Sequence, residues 1–104
     1  MEKSKNGAIL VNIAKVGNTL IGYCVTTVAE NKAGEIESIF IEKQYRRRGI
    51  GDHFMKTALD WMDAHAATRK VIAVAAGNEE AFGFYQKYGF CPRVSILIQK
   101  EQNL

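Results

Sequence analysis

The chain has 104 residues, of which 47% are apolar and 24% charged, with a net charge of +3. This length allows one domain with one core, residues 1–104, and the composition is that of a soluble globular protein. The charge is too mild to imply nucleic-acid binding by itself, and Cys24 and Cys91 form neither a close pair nor a cluster with His53 or His65 at zinc spacing.

The opening segment, Met1-Glu2-Lys3-Ser4-Lys5-Asn6-Gly7, is polar, with no apolar signal segment behind it. No apolar run approaches the roughly 20 residues of a membrane span. A cytoplasmic chain with free, reduced thiols and no membrane partner is therefore expected. Two β-rich runs, Ala8 to Val16 and Thr19 to Val28, flank Gly17-Asn18 and predict a hairpin. Glu35 to Glu42 alternates and predicts a third strand. Strict alternation puts Glu37, Ile39 and Ile41 on one face, and Ile36, Ser38 and Phe40 on the other.

From Ile50 the period changes. Ile50, Phe54, Ala58, Met62 and Ala66 recur every four residues, which predicts an amphipathic helix of about four to five turns. Val71 to Ala76 reads as a strand buried on both faces. Asn78 is a good cap for a helix that starts at Glu79-Glu80 and runs to about Tyr88, with Gly89 as its stop. Phe90 to Lys100 reads as a last strand, with Pro92 near its start. The order is β-β-β-α-β-α-β. The fold class is α/β, or α+β with a mixed sheet, in which Glu35 to Ala76 forms a right-handed crossover between parallel strands.

The sharpest chemical signal is Arg46-Arg47-Arg48-Gly49-Ile50-Gly51, set between a strand and a helix. A helix N-terminus presents unpaired N–H groups and the positive end of a dipole. Glycines allow close backbone approach, and arginines add charged donors for phosphate oxygens. Neither a dinucleotide fingerprint nor a Walker loop is present. No RNA-reading module or extended basic stripe accompanies the arginines, so a nucleic-acid partner is not expected.

The segments IESIFIEKQYRRRGIGDHF and NEEAFGFYQKYGF resemble two successive blocks of the GNAT superfamily of N-acetyltransferases. The first is similar to the family's R/Q-x-x-G-x-G/A motif, and the second to its N-x-x-A-x-x-F/L-Y-x-K-x-G-F segment. The resemblance implies a sheet whose third strand and VIAVAA strand part to admit acetyl-coenzyme A. It implies that backbone groups of Ile39, Phe40 and Ile41 pair with the pantetheine arm as an added strand would. It places the pyrophosphate on the amides from Arg47 to Gly51, Asn78 on the pantetheine arm, and Phe84 beside it.

The implied reaction is direct acetyl transfer to an amine, with no metal. An alkyl ammonium loses its proton near pH 10, so a base is required; Glu37 is the candidate. Tyr85 matches the family's tyrosine and is the candidate donor to the departing thiolate. His53 and His65 are given no role. The family's usual opening strand and two helices have no counterpart before the first hairpin at Ala8. Its acceptor wall is therefore expected from a second subunit, from a large acceptor on an open surface, or not at all. A non-catalytic acyl-coenzyme A-binding module is the alternative function, and a basic nucleic-acid- or protein-binding domain is a third. An uncovered edge at the hairpin would favour a homodimer.

Overall fold

The computed structural model describes residues 7–74, 81–94 and 96–100. They divide into two compact units, Met1–Ala73 and Val74–Leu104. In the first, the β-branched runs form the expected hairpin, β1 (Ala8–Val16) and β2 (Thr19–Val28). The turn between them places Gly17 at φ +60, a left-handed conformation that suits glycine. The third strand, β3 (Ala33–Ile41), starts two residues earlier than its alternation suggests. After a single 3-10 turn at Lys43–Tyr45 comes α1 (Ile50–Ala64), and then β4 (Arg69–Ile72).

The sheet order is β1-β2-β3-β4. The first two pairings are antiparallel, and β3 pairs with β4 in parallel across the α1 crossover. The four-residue repeat of α1 aims Phe54, Met55, Ala58 and Met62 at the sheet, where all four are buried. Each large side chain buried there contributes about 2 kcal/mol. A Cβ on Gly34 would lie 2.7 Å from Met62 Sδ and 3.2 Å from the Arg69 carbonyl oxygen, so a side chain there would have to displace Met62 and crowd β4.

Two strand expectations are corrected. The apolar run after α1 gives a strand over Arg69–Ile72 rather than Val71 to Ala76, and it is half-buried rather than covered on both faces. It lies at the end of the described sheet and pairs only with β3. Residues 75–80, which include Asn78, lie outside the described residues.

The third correction concerns the faces of β3. Thr26 pairs with Ile36 but Val25 pairs with Ser38, so Glu37 is an extra residue in the strand, a β-bulge. The bulge resets the alternation. Paired residues share a face. Ile36, Ile39 and Ile41 therefore stand with Thr26, Cys24 and Gly22 on one face, and Glu35, Ser38 and Phe40 with Thr27, Val25 and Tyr23 on the other. Glu37 does not share the face of Ile39 and Ile41, because strict alternation fails where one strand carries an additional residue.

In the second unit, α2 (Phe82–Gln86) is a short helix. The chain leaves it through Tyr88 and Gly89, with Gly89 at φ +88 as the expected left-handed stop. The described residues from Phe90 to Lys100 form no strand. Val94, Ile96, Leu97 and Ile98 carry β-forming side chains but are exposed. Side-chain preference makes a segment fit a sheet; a strand still needs a ladder partner.

Candidate functional site

The basic loop between β3 and α1 is built from backbone first. Arg47 and Gly49 both adopt left-handed conformations, with φ of 64 and 86. Gly49 is the N-cap of α1 and offers no side-chain cap. The amides of Arg47, Arg48, Gly49, Ile50 and Gly51 donate to no protein acceptor among the described residues. Left-handed residues interleaved with ordinary ones turn successive N–H groups toward a common point, an anion-binding concavity. The helix dipole adds positive potential at the same place.

The three arginines divide their labour. Arg46 Nε donates to the Ile41 carbonyl at 2.8 Å and ties the loop back to the end of β3. The Arg48 guanidinium lies 5.3 Å from the centre of the Tyr45 ring, a cation–π contact. Both are exposed, as is Arg47. Asp52, in the first turn of α1, forms an exposed ion pair of 3.0 Å with Lys56, of little energetic weight.

The strand leading into the loop is half open. β4 accompanies β3 only from Ala33 to Ile36, whereas β3 continues to Ile41. Beyond Ile36 the backbone of β3 is flanked by β2 alone among the described residues. Ile39, Phe40 and Ile41 lie in that stretch, so their outer edge suits an extended ligand arm adding as a strand. The Ile41 carbonyl already accepts from Arg46, a contact that no local sequence pattern foretells.

On the face away from α1, Glu37 accepts a hydrogen bond from Thr27 Oγ1 at 2.8 Å. Beside it, Ser38 Oγ donates to Tyr23 Oη at 3.4 Å, and the Tyr23 and Phe40 rings lie 5.9 Å apart. The structure thus brings Glu37, Ile39, Phe40, Ile41 and the loop Arg46–Gly51 onto one strand and its exit. Thr27 and the bulge carry no local sequence signature and become visible only through pairing register.

In the second unit, Phe84 and Tyr85 are half-buried on α2, with their rings edge to face at 5.2 Å. Phe84 also meets Tyr88 at 5.5 Å, and Lys87 Nζ lies 4.8 Å from the Phe84 ring centre. Of the groups left without a role, His65 caps α1, with Nδ1 3.0 Å from the Trp61 carbonyl. Cys24 is fully buried, and Cys91 is exposed. Burial pushes the Cys24 thiol above its ordinary range, a shift opposed by its hydrogen bond with Thr26. Among the described residues, no three His, Cys, Asp or Glu side chains gather to hold a metal, and no helix is long and apolar enough to cross a membrane.

Comparison with known proteins bears on the same segments. The model of the acetyltransferase (GNAT) family matches residues 1–90. The mycothiol acetyltransferase of Corynebacterium glutamicum is 32% identical over 85 residues, covering 82% of this chain and 29% of the relative. N-alpha-acetyltransferase 30 of Schizosaccharomyces pombe is 36% identical over 58 residues, covering 56% of this chain and 39% of the relative. The chain thus spans well under half the length of either protein. Among solved structures, aminoglycoside N-acetyltransferase AAC(6')-Iy in complex with CoA superposes with a TM-score of 0.78 at 15% identity, covering 97% of this chain and 81% of that one.

Proposed function

The chain belongs to the acetyltransferase (GNAT) family, and from that premise we propose that it is an N-acetyltransferase that uses acetyl-coenzyme A as donor and an amine as acceptor. The observation that carries the reading is the row of amides from Arg47 to Gly51 without protein acceptors among the described residues, at the N-terminus of α1. It offers what a diphosphate needs, and a Cβ added at Gly49 would meet nothing within 4 Å among the described residues. When bound, acetyl-coenzyme A supplies an activated acetyl thioester.

The chain's own groups then have distinct tasks. Arg47 and Arg48 add charge at the diphosphate, and Arg46 holds the loop against β3. Ile39, Phe40 and Ile41 line the pantetheine arm with their backbone, and Asn78 and Phe84 are assigned to the same arm on the family resemblance. Glu37 takes the proton from the amine, directly or through water. Tyr85 returns a proton to the sulfur. In this reading the transfer needs no metal, the 104 residues act as one domain, and the enzyme works in the cytoplasm. Ile9, Val11 and Ile13 of β1 are exposed on a strand at the end of the sheet, which supports a homodimer as the working form.

Two measurements test this reading. Acetyl-coenzyme A binding only to the native state must raise the melting temperature. Thiol release is then followed with an aminoglycoside, a peptide with a free α-amine and a polyamine, acceptors suggested by the names of the relatives and by the chemistry. Release with any of them supports the enzyme. Binding without release points to the non-catalytic module, and no thermal shift overturns the coenzyme reading itself. In an active enzyme, Tyr85→Phe lowers kcat by about tenfold to a hundredfold with little change in coenzyme binding; unchanged turnover removes Tyr85 from the mechanism.

A further inference from the structure

The bulge that takes Glu37 out of the ladder also delivers its carboxylate to Thr27. Thr27 is 1% exposed, pairs with Glu35 across the β2–β3 ladder, and donates to Glu37 Oε2 at 2.8 Å. A buried hydroxyl costs desolvation, which only a bond offsets. A valine would fill the same space without that cost. The bond Thr27 makes is to an ionisable group, where a donated hydrogen bond is worth most.

The surroundings of this pair are set by register. Glu35 on β3, Tyr23 on β2 and Arg69 on β4 belong to the same face. Lys70 belongs to the opposite face, where it pairs with Asp63 of α1 at 2.6 Å. Among the described residues, the titratable groups that register places on this face beside Glu37 are therefore the Glu35 carboxylate, the Tyr23 phenol and the Arg69 guanidinium, and the Thr27 hydroxyl donates to it directly.

We propose that Thr27 is a positioning residue whose buried hydroxyl fixes the rotamer and the charge state of Glu37 at the bulge. The inference rests on the reading of Glu37 as the proton acceptor. A hydroxyl that donates to a carboxylate favours its ionised form, the form a base must have before it takes a proton. It also holds one carboxylate oxygen to a single place on the sheet, so the bulge presents a fixed group instead of a mobile glutamate. The sheet supplies this at little conformational cost, since threonine is stiff at χ1.

The test uses Thr27→Val, which keeps shape and removes the donor, Thr27→Ser, which keeps the donor, and Glu37→Gln, which identifies the Glu37 signal. The Glu37 carboxyl is followed by carbon-13 NMR against pH in the full chain. In Thr27→Val it titrates about one pH unit higher than in the wild type, and Thr27→Ser restores the wild-type curve. Thermal melting shows that each variant is folded, and the acetyl-coenzyme A shift stays as in the wild type. Coincident titrations in wild type and Thr27→Val overturn the inference alone. A Glu37→Gln variant that keeps the wild-type rate of acetyl transfer overturns the role of Glu37 itself, whatever Thr27 does.

Discussion

The two halves of β3 are one strand put to two uses. From Ala33 to Ile36 it is held between β2 and β4, and Ile36 is buried under α1 at 2% exposure. From Glu37 to Ile41 it keeps β2 alone among the described residues, opens with a bulge, and ends tied to Arg46. The first half supplies rigidity and the second an edge without a ladder partner among the described residues, which is where the proposed coenzyme arm would add. A strand can present unpaired backbone to a ligand without fraying when its other half is fastened on both sides, since local opening follows local contact density.

Substitutions in the two halves, and in the loop that the second one feeds, should fail in different ways. The largest effect is expected from Ile36→Ala, which leaves a cavity beneath α1 and costs about 3 kcal/mol of stability in denaturant unfolding. The folded fraction should still bind acetyl-coenzyme A with near wild-type affinity. Lost affinity in folded protein would mean that the halves are not separable. Gly49→Ala comes next. A side chain there meets no neighbour, so its cost is the left-handed backbone, about 1 kcal/mol. Acetyl-coenzyme A affinity measured by calorimetry should fall about tenfold as the amides shift.

Smaller still are Arg47→Ala and Arg48→Ala. Each should weaken coenzyme binding by about threefold to tenfold and flatten its salt dependence, because the charges are exposed and screened. An unchanged salt slope would assign the binding to backbone alone. The smallest effect separates core from surface by pH. The Cys24 thiol is raised in the folded chain, so on raising the pH the unfolded chain loses its proton first. Stability is whole below the ordinary thiol range and declines as pH climbs through it. Alkylation followed by mass spectrometry should mark exposed Cys91 well before Cys24.

Much of this was readable in the residues themselves. The hairpin at Gly17-Asn18, the four-residue repeat of α1 and the Gly89 stop are local patterns, and each formed where its pattern lay, except that α1 ends at Ala64 and leaves Ala66, the last member of the repeat, outside it at φ 58. The strand-loop-helix around Arg46–Gly51 was equally legible, because left-handed glycine and a helix start are short-range events. The expected strand from Phe90 failed for the opposite reason: alternation describes a side-chain pattern and does not provide a neighbour.

What sequence alone determined was the hairpin, the third strand, the long helix and the make-up of the loop between them, since these depend on residues near one another in the chain. Tertiary structure decided which face Glu37 occupies, that Thr27 holds it, and where β4 leaves β3. Those outcomes rest on register between strands, and one unpaired residue in a ladder is enough to turn a side chain from one side of a sheet to the other.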